Sequence, residues 1–142
     1  MVTKLVVGID PGVKTGLAIW DCVGEKFGLI GTFNIIECFA DLIPLVNGGL
    51  IDLLRFEDSR LRKGYYGDNA NLKQQGAGSI KRDSSIWQEF CEYHKIKFEA
   101  VSPQSQKGLT KWDAKRFKHV TGWTARTSEH ARDAALLVWG WK

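Results

Sequence analysis

Two short apolar runs that each lead onto an acid constrain this chain more than any other feature. Lys4–Asp10 is β-rich and is stopped sharply by Pro11-Gly12. Ile51–Phe56 is apolar except for Asp52 and Arg55, and it delivers Glu57. Both read as buried strands. A third acid, Asp133, lies three residues after His130 at the start of an apolar helical pattern, SEHARDAALLVWG. Carboxylates are rarely buried without a partner. Three of them at the ends of core elements need compensation, and a divalent metal is the simplest source of it.

The remaining periodicity completes an α/β pattern. Thr15–Trp20 and Phe27–Phe33 read as strands, the second following a turn around Gly24. Ile36–Val46 has a helical period with Pro44 near its end, and Asn47-Gly48-Gly49 stops it. Residues 58–78 show little periodic hydrophobicity and read as a long loop. A helix is expected from about Ser79 to His94, a fifth strand over Ile96–Val101, a short helix near Thr110–Val120, and a last helix from about Ser128 to Trp139. Thr127 or Ser128 is placed to cap that last helix. The order β-β-β-α-β-α-β-α-α predicts an α/β fold whose five-stranded sheet has an antiparallel edge. With 142 residues and no internal repeat or linker, one domain over 1–142 is expected.

Composition adds limits. No apolar run reaches the ~18 residues of a membrane span, the first residues lack a signal-peptide pattern, and Cys22, Cys38 and Cys91 have no metal-type spacing. A cytoplasmic protein with free thiols is expected. The formal net charge of +4 is mild. Its distribution says more: Lys107 to Lys118 holds five Lys or Arg and one Asp, and Arg60, Arg62 and Lys63 follow Glu57 closely. Cations beside carboxylates point to a polyanion that a metal also touches, although either cluster alone is equally well a solvated face.

In an α/β sheet, sites gather at the carboxyl ends of strands. If the last helix crosses there, Asp10, Glu57, His130 and Asp133 converge, and oxygen donors with one imidazole favour Mg²⁺ or Mn²⁺ over zinc. Two such ions can activate water and stabilise the leaving oxygen of a phosphodiester. Taken singly, each residue has a plainer reading. Asp10 before Pro-Gly suits a turn, His130 suits an ordinary helix position, and Glu57 competes with Asp58, which points to the opposite face. Gly12 and Gly16 are read as a place where backbone approaches a ligand.

The string VVGIDPGVKTGLA, the strand-end Glu57 and the His130-x-x-Asp133-Ala134 helix resemble the RuvC family of Holliday junction resolvases, within the RNase H-like superfamily. The resemblance runs over nearly the whole chain and is most specific in the first twenty residues and in 127–138. It implies an α/β, RNase H-like three-layer fold, with a five-stranded mixed sheet that has one antiparallel strand and helices on both faces. It further implies a homodimer that resolves four-way DNA junctions by paired, Mg²⁺- or Mn²⁺-dependent hydrolysis, leaving 5′-phosphates. Asp10, Glu57, His130 and Asp133 are then the metal-binding and catalytic set, with Lys107 and Lys115 near the scissile phosphate. The implied DNA contacts are Arg60, Arg62, Lys63, Tyr65, Tyr66, Lys81, Arg82, Lys107, Lys111 and Lys115. Tyr65, Tyr66 and Trp123 are the aromatics left for the junction or a dimer partner, whereas Trp20, Trp87, Trp112, Trp139 and Trp141 are expected in the core. The chain is shorter than bacterial members and departs from them over 58–78, which resembles a compact phage-type resolvase.

Rival readings are a broader RNase H-like nuclease acting on other branched DNA or RNA–DNA hybrids, an actin-like ATPase fragment using the Asp-Pro-Gly loop, and a DNA-binding module without catalysis. The chain is too short for a two-lobed ATP cleft, and a silent module has no physical reason to cluster acids against their repulsion.

Overall fold

A computed structural model describes residues 3–61, 70–103 and 112–142. Strands β1 (Leu5–Asp10), β2 (Thr15–Asp21) and β3 (Lys26–Phe33) form an antiparallel meander, and β4 (Ile51–Glu57) and β5 (Phe98–Val101) extend it. The sheet order is β3-β2-β1-β4-β5. β1 pairs antiparallel with β2 and parallel with β4, and β4 pairs parallel with β5. β2 is therefore the one strand running against the rest. This is the expected mixed sheet of an α/β, RNase H-like fold.

Alternation along the strands divides the core in two. Val7, Ile9, Leu54 and Phe56 pack with Cys38, Leu42, Trp87, Phe90 and Cys91 under α1 (Ile35–Asn47) and α2 (Ala70–His94). Val6, Ala18, Leu53 and Val101 face the other way, onto Phe117 of α3 (Ala114–Thr121) and Ala131, Ala134 and Ala135 of α4 (Glu129–Leu136). Helices thus cover both faces. Strands buried on both sides read as near-continuous apolar runs, as β1 and β2 do.

Local chemistry sets the helix ends. Asn34 caps α1 in a capping box with Glu37, whose side chain returns to the Asn34 N–H. Pro44 is accommodated inside α1, which runs only to Asn47 beyond it. Asp113 caps α3 and Gly122, at φ 79°, ends it. Ser128 caps α4.

Three boundaries differ from expectation. A short 3₁₀ turn at Ser59–Leu61 and the first nine residues of α2 fall where a continuous loop was expected. That stretch has helix formers such as Ala70, Leu72, Lys73 and Gln74 but no apolar stripe, so no periodicity reveals it. α4 ends at Leu136 rather than Trp139, because the Leu137 and Val138 N–H groups bond three residues back and tighten the chain out of the helix. Trp139 is consequently 39% exposed instead of buried, while Trp20, Trp87 and Trp112 lie in the core. Trp123, expected to be exposed, is half-buried against Phe27.

Candidate active site

The site begins with a close approach between backbones. A Cβ placed on Gly16 would lie 2.0 Å from the carbonyl oxygen of His130, and one on Gly8 would lie 2.2 Å from that of Ala134. Only glycine leaves room there, so β1 and β2 form a smooth bed on which α4 lies directly. Gly16 was expected to let the backbone approach a ligand; what it admits is the helix. Gly12, by contrast, meets nothing nearer than 3.3 Å.

Seating α4 on the sheet brings its first turn over the end of β1. Gly16 is the register partner of Asp10, and His130 Nδ1 lies 2.9 Å from Asp10 Oδ2. The Asp10 side chain is 14% exposed and that of His130 52%. Burial pushes the Asp10 carboxyl up to about 6 from its ordinary 3.8, opposed by the His130 hydrogen bond and reinforced by the negative charges of Asp133 and Glu129.

Register places Glu57 on the same side. Ile9 and Phe56 are parallel partners, and both point into the α1/α2 layer. The next pair along the strands, Asp10 and Glu57, therefore faces α4. Two residues earlier on β4, Arg55 confirms that direction, since its guanidinium reaches the Leu137 carbonyl and lies over the Trp141 ring.

Glu57, and not Asp58, therefore lies on the same side of the sheet as Asp10. Asp58 lies on the α2 side, where its buried carboxylate takes two hydrogen bonds from Arg60, at 2.8 Å from Nε and 2.7 Å from Nη2. The same guanidinium also reaches Ser85 and Gln88 of α2. Arg60, expected among the DNA contacts, ties the end of β4 to α2.

Of the remaining expected contacts, Lys115 is exposed on α3, and Lys81 and Arg82 are exposed on α2. Arg62, Lys63, Tyr65, Tyr66, Lys107 and Lys111 lie outside the described residues.

Arg132 went unremarked in the sequence. Its Nη1 bonds the Thr127 carbonyl and hydroxyl, and its Nε bonds the Trp112 carbonyl, fixing the approach to α4. An arginine directly before Asp133 carries no distinguishing signal. Gly8 did carry one, since a glycine inside an apolar strand marks a close backbone approach.

Among the described residues, no three His, Cys, Asp or Glu side chains stand close enough to hold one ion together. The donor set nevertheless fits a hard divalent cation in kind: carboxylates with one imidazole, gathered at one end of the sheet. The raised Asp10 pKa comes first from burial, with a smaller push from the charges of Asp133 and Glu129, and a cation bound there would offset both.

No family model and no curated protein sequence matches the chain. Solved structures do. A structure of Thermus thermophilus RuvC in complex with a Holliday junction substrate superposes with a TM-score of 0.55 at 15% identity, over 94% of this chain and 88% of that one. A second Thermus thermophilus RuvC structure gives 0.51 at 14% identity, over 93% and 91%. The fold of this chain is therefore RuvC-like.

Proposed function

We propose that this chain, whose fold is that of the RuvC resolvases, is a structure-selective endonuclease that cuts four-way DNA junctions by metal-dependent paired hydrolysis of phosphodiester bonds. The observation that carries this reading is the gathering of Asp10, Glu57 and the first turn of α4 at one end of two parallel strands. A homodimer follows from the need for two symmetric cuts.

Asp10, Glu57 and Asp133 would hold Mg²⁺ or Mn²⁺, with His130 as a fourth ligand or as the proton acceptor. Bound there, the ion supplies Lewis acidity that lowers the pKa of water and offsets charge on the phosphate. Asp10 accepts the Nδ1 hydrogen bond of His130, which fixes the ring and leaves Nε2 to take a proton from the attacking water. Lys115, with Lys107, holds the backbone and offsets charge developing on the phosphate. The products carry 5′-phosphate and 3′-hydroxyl ends.

The test is a comparison of labelled four-way junction, Y-fork, linear duplex and RNA–DNA hybrid, with Mg²⁺, Mn²⁺ or EDTA. Paired nicks confined to the junction, and absent in EDTA, are expected. Equal cutting of forks or hybrids would make the protein a broader RNase H-like nuclease, and no cutting of any substrate would reduce it to a binding module.

A further inference from the structure

A groove of about 420 Å³ lies between α3 and the segment that leads into α4. Its walls include Phe117, Trp123 and Ala125, and Lys115, Lys118 and Arg126 border it. The three cations are exposed. The nearby acid Asp113 is engaged in capping α3 through the Arg116 N–H, and the Arg116 guanidinium lies over the Trp112 ring, 4.3 Å from its centroid. What remains open is an apolar trough edged with positive charge.

The groove is built rather than incidental. Gly122 reverses the chain at the end of α3, so that 123–127 forms the facing wall. Trp123 is anchored edge-on to Phe27, and Arg132 holds Thr127 by two hydrogen bonds. The groove also leads to the site: Thr127 is three residues before His130, at most about 11 Å of chain.

We infer that this groove binds an unpaired stretch of the DNA substrate, taking bases against its apolar wall and phosphates on Lys118 and Arg126. Single strands offer flat apolar bases and a polyanionic backbone together, which is the combination this surface complements. A duplex keeps its bases stacked inside and presents the wall with nothing to bind. The inference rests on the nuclease reading for its substrate, and it extends that reading from a junction of paired arms to one with bases opened beside the cut.

The experiment measures anisotropy of a labelled oligothymidylate and of a duplex of equal length, in EDTA, with wild type, Lys118→Ala/Arg126→Ala and Ala125→Glu, each checked for an unchanged melting temperature. Both variants should weaken single-strand binding about tenfold, and the double variant should lower the salt slope by about 1.4, with duplex binding changed less than about twofold. Unchanged single-strand binding overturns the inference. So does an equal loss of both ligands, which would mark a general electrostatic surface, and so does equal displacement by polyglutamate, which would mark a site for acidic peptides. Junction cleavage by the wild type separates the two readings. Cleavage without a groove effect removes the groove alone, and a groove effect without cleavage removes the nuclease alone.

Discussion

Asp10 and His130 are separated by 120 residues and meet at 2.9 Å. The pair joins the end of the first strand to the first turn of the last helix, and it should be the centre of any chemistry. Asp10→Asn should lower junction cleavage by about 10³-fold or more while leaving junction affinity within about threefold, because the change removes a reacting group and not the basic surface. Single-turnover cleavage and a gel-shift titration measure the two quantities separately; near wild-type cutting would remove the metal-site assignment.

The same carboxyl predicts an unusual pH dependence of stability. Its pKa is about 6 in the folded protein against 3.8 ordinarily, so between these values the folded state binds more protons than the unfolded state. Stability should fall as pH rises through that window, by about 3 kcal/mol at most, and level off above it. In EDTA at pH 7.5, Asp10→Asn should resist urea better than wild type, with the difference shrinking toward pH 4. Mg²⁺ should raise the wild-type midpoint at pH 7.5 and leave that of Asp10→Asn nearly unmoved.

The glycine bed predicts a graded series. Gly16→Ala and Gly8→Ala force a Cβ into carbonyl oxygens of α4 at 2.0 and 2.2 Å, and each should cost about 3 kcal/mol or more. Gly12→Ala, meeting the Lys14 carbonyl at 3.3 Å, should cost less than about 1 kcal/mol. Urea midpoints measure all three, and equal costs would show that α4 does not rest on Gly8 and Gly16.

Arg60 should act as a structural residue. Its Asp58 partner has a side chain only 3% exposed, whereas its own is 31% exposed. Arg60→Ala would strand that carboxylate and cost about 2–3 kcal/mol, somewhat below the range for fully buried pairs. The salt slope of junction binding should stay unchanged. A slope lowered by about 0.9 would instead return Arg60 to the DNA surface.

Sequence alone reveals strands, helices and the acids that end them, because burial on both faces and strand-end carboxylates leave local marks. It could not choose between Glu57 and Asp58, since that choice depends on pairing with a strand some 45 residues earlier in the chain. Nor could it show that Arg60 pairs with Asp58, because a cation next to a carboxylate reads the same whether it faces DNA or α2. The start of α2 stayed hidden because its residues carry no apolar period. Gly16 was noticed for the right property, closeness of backbone, with the wrong neighbour.

The bed of Gly8 and Gly16 has a consequence for biosynthesis. A growing chain displays Asp10 early and Glu57 soon after, but Asp10 has its imidazole only once α4 has been made and has settled onto the sheet. Contacts this distant in sequence form late and slowly. Partly synthesised or partly opened chains therefore lack an assembled site, whatever chemistry the complete one performs.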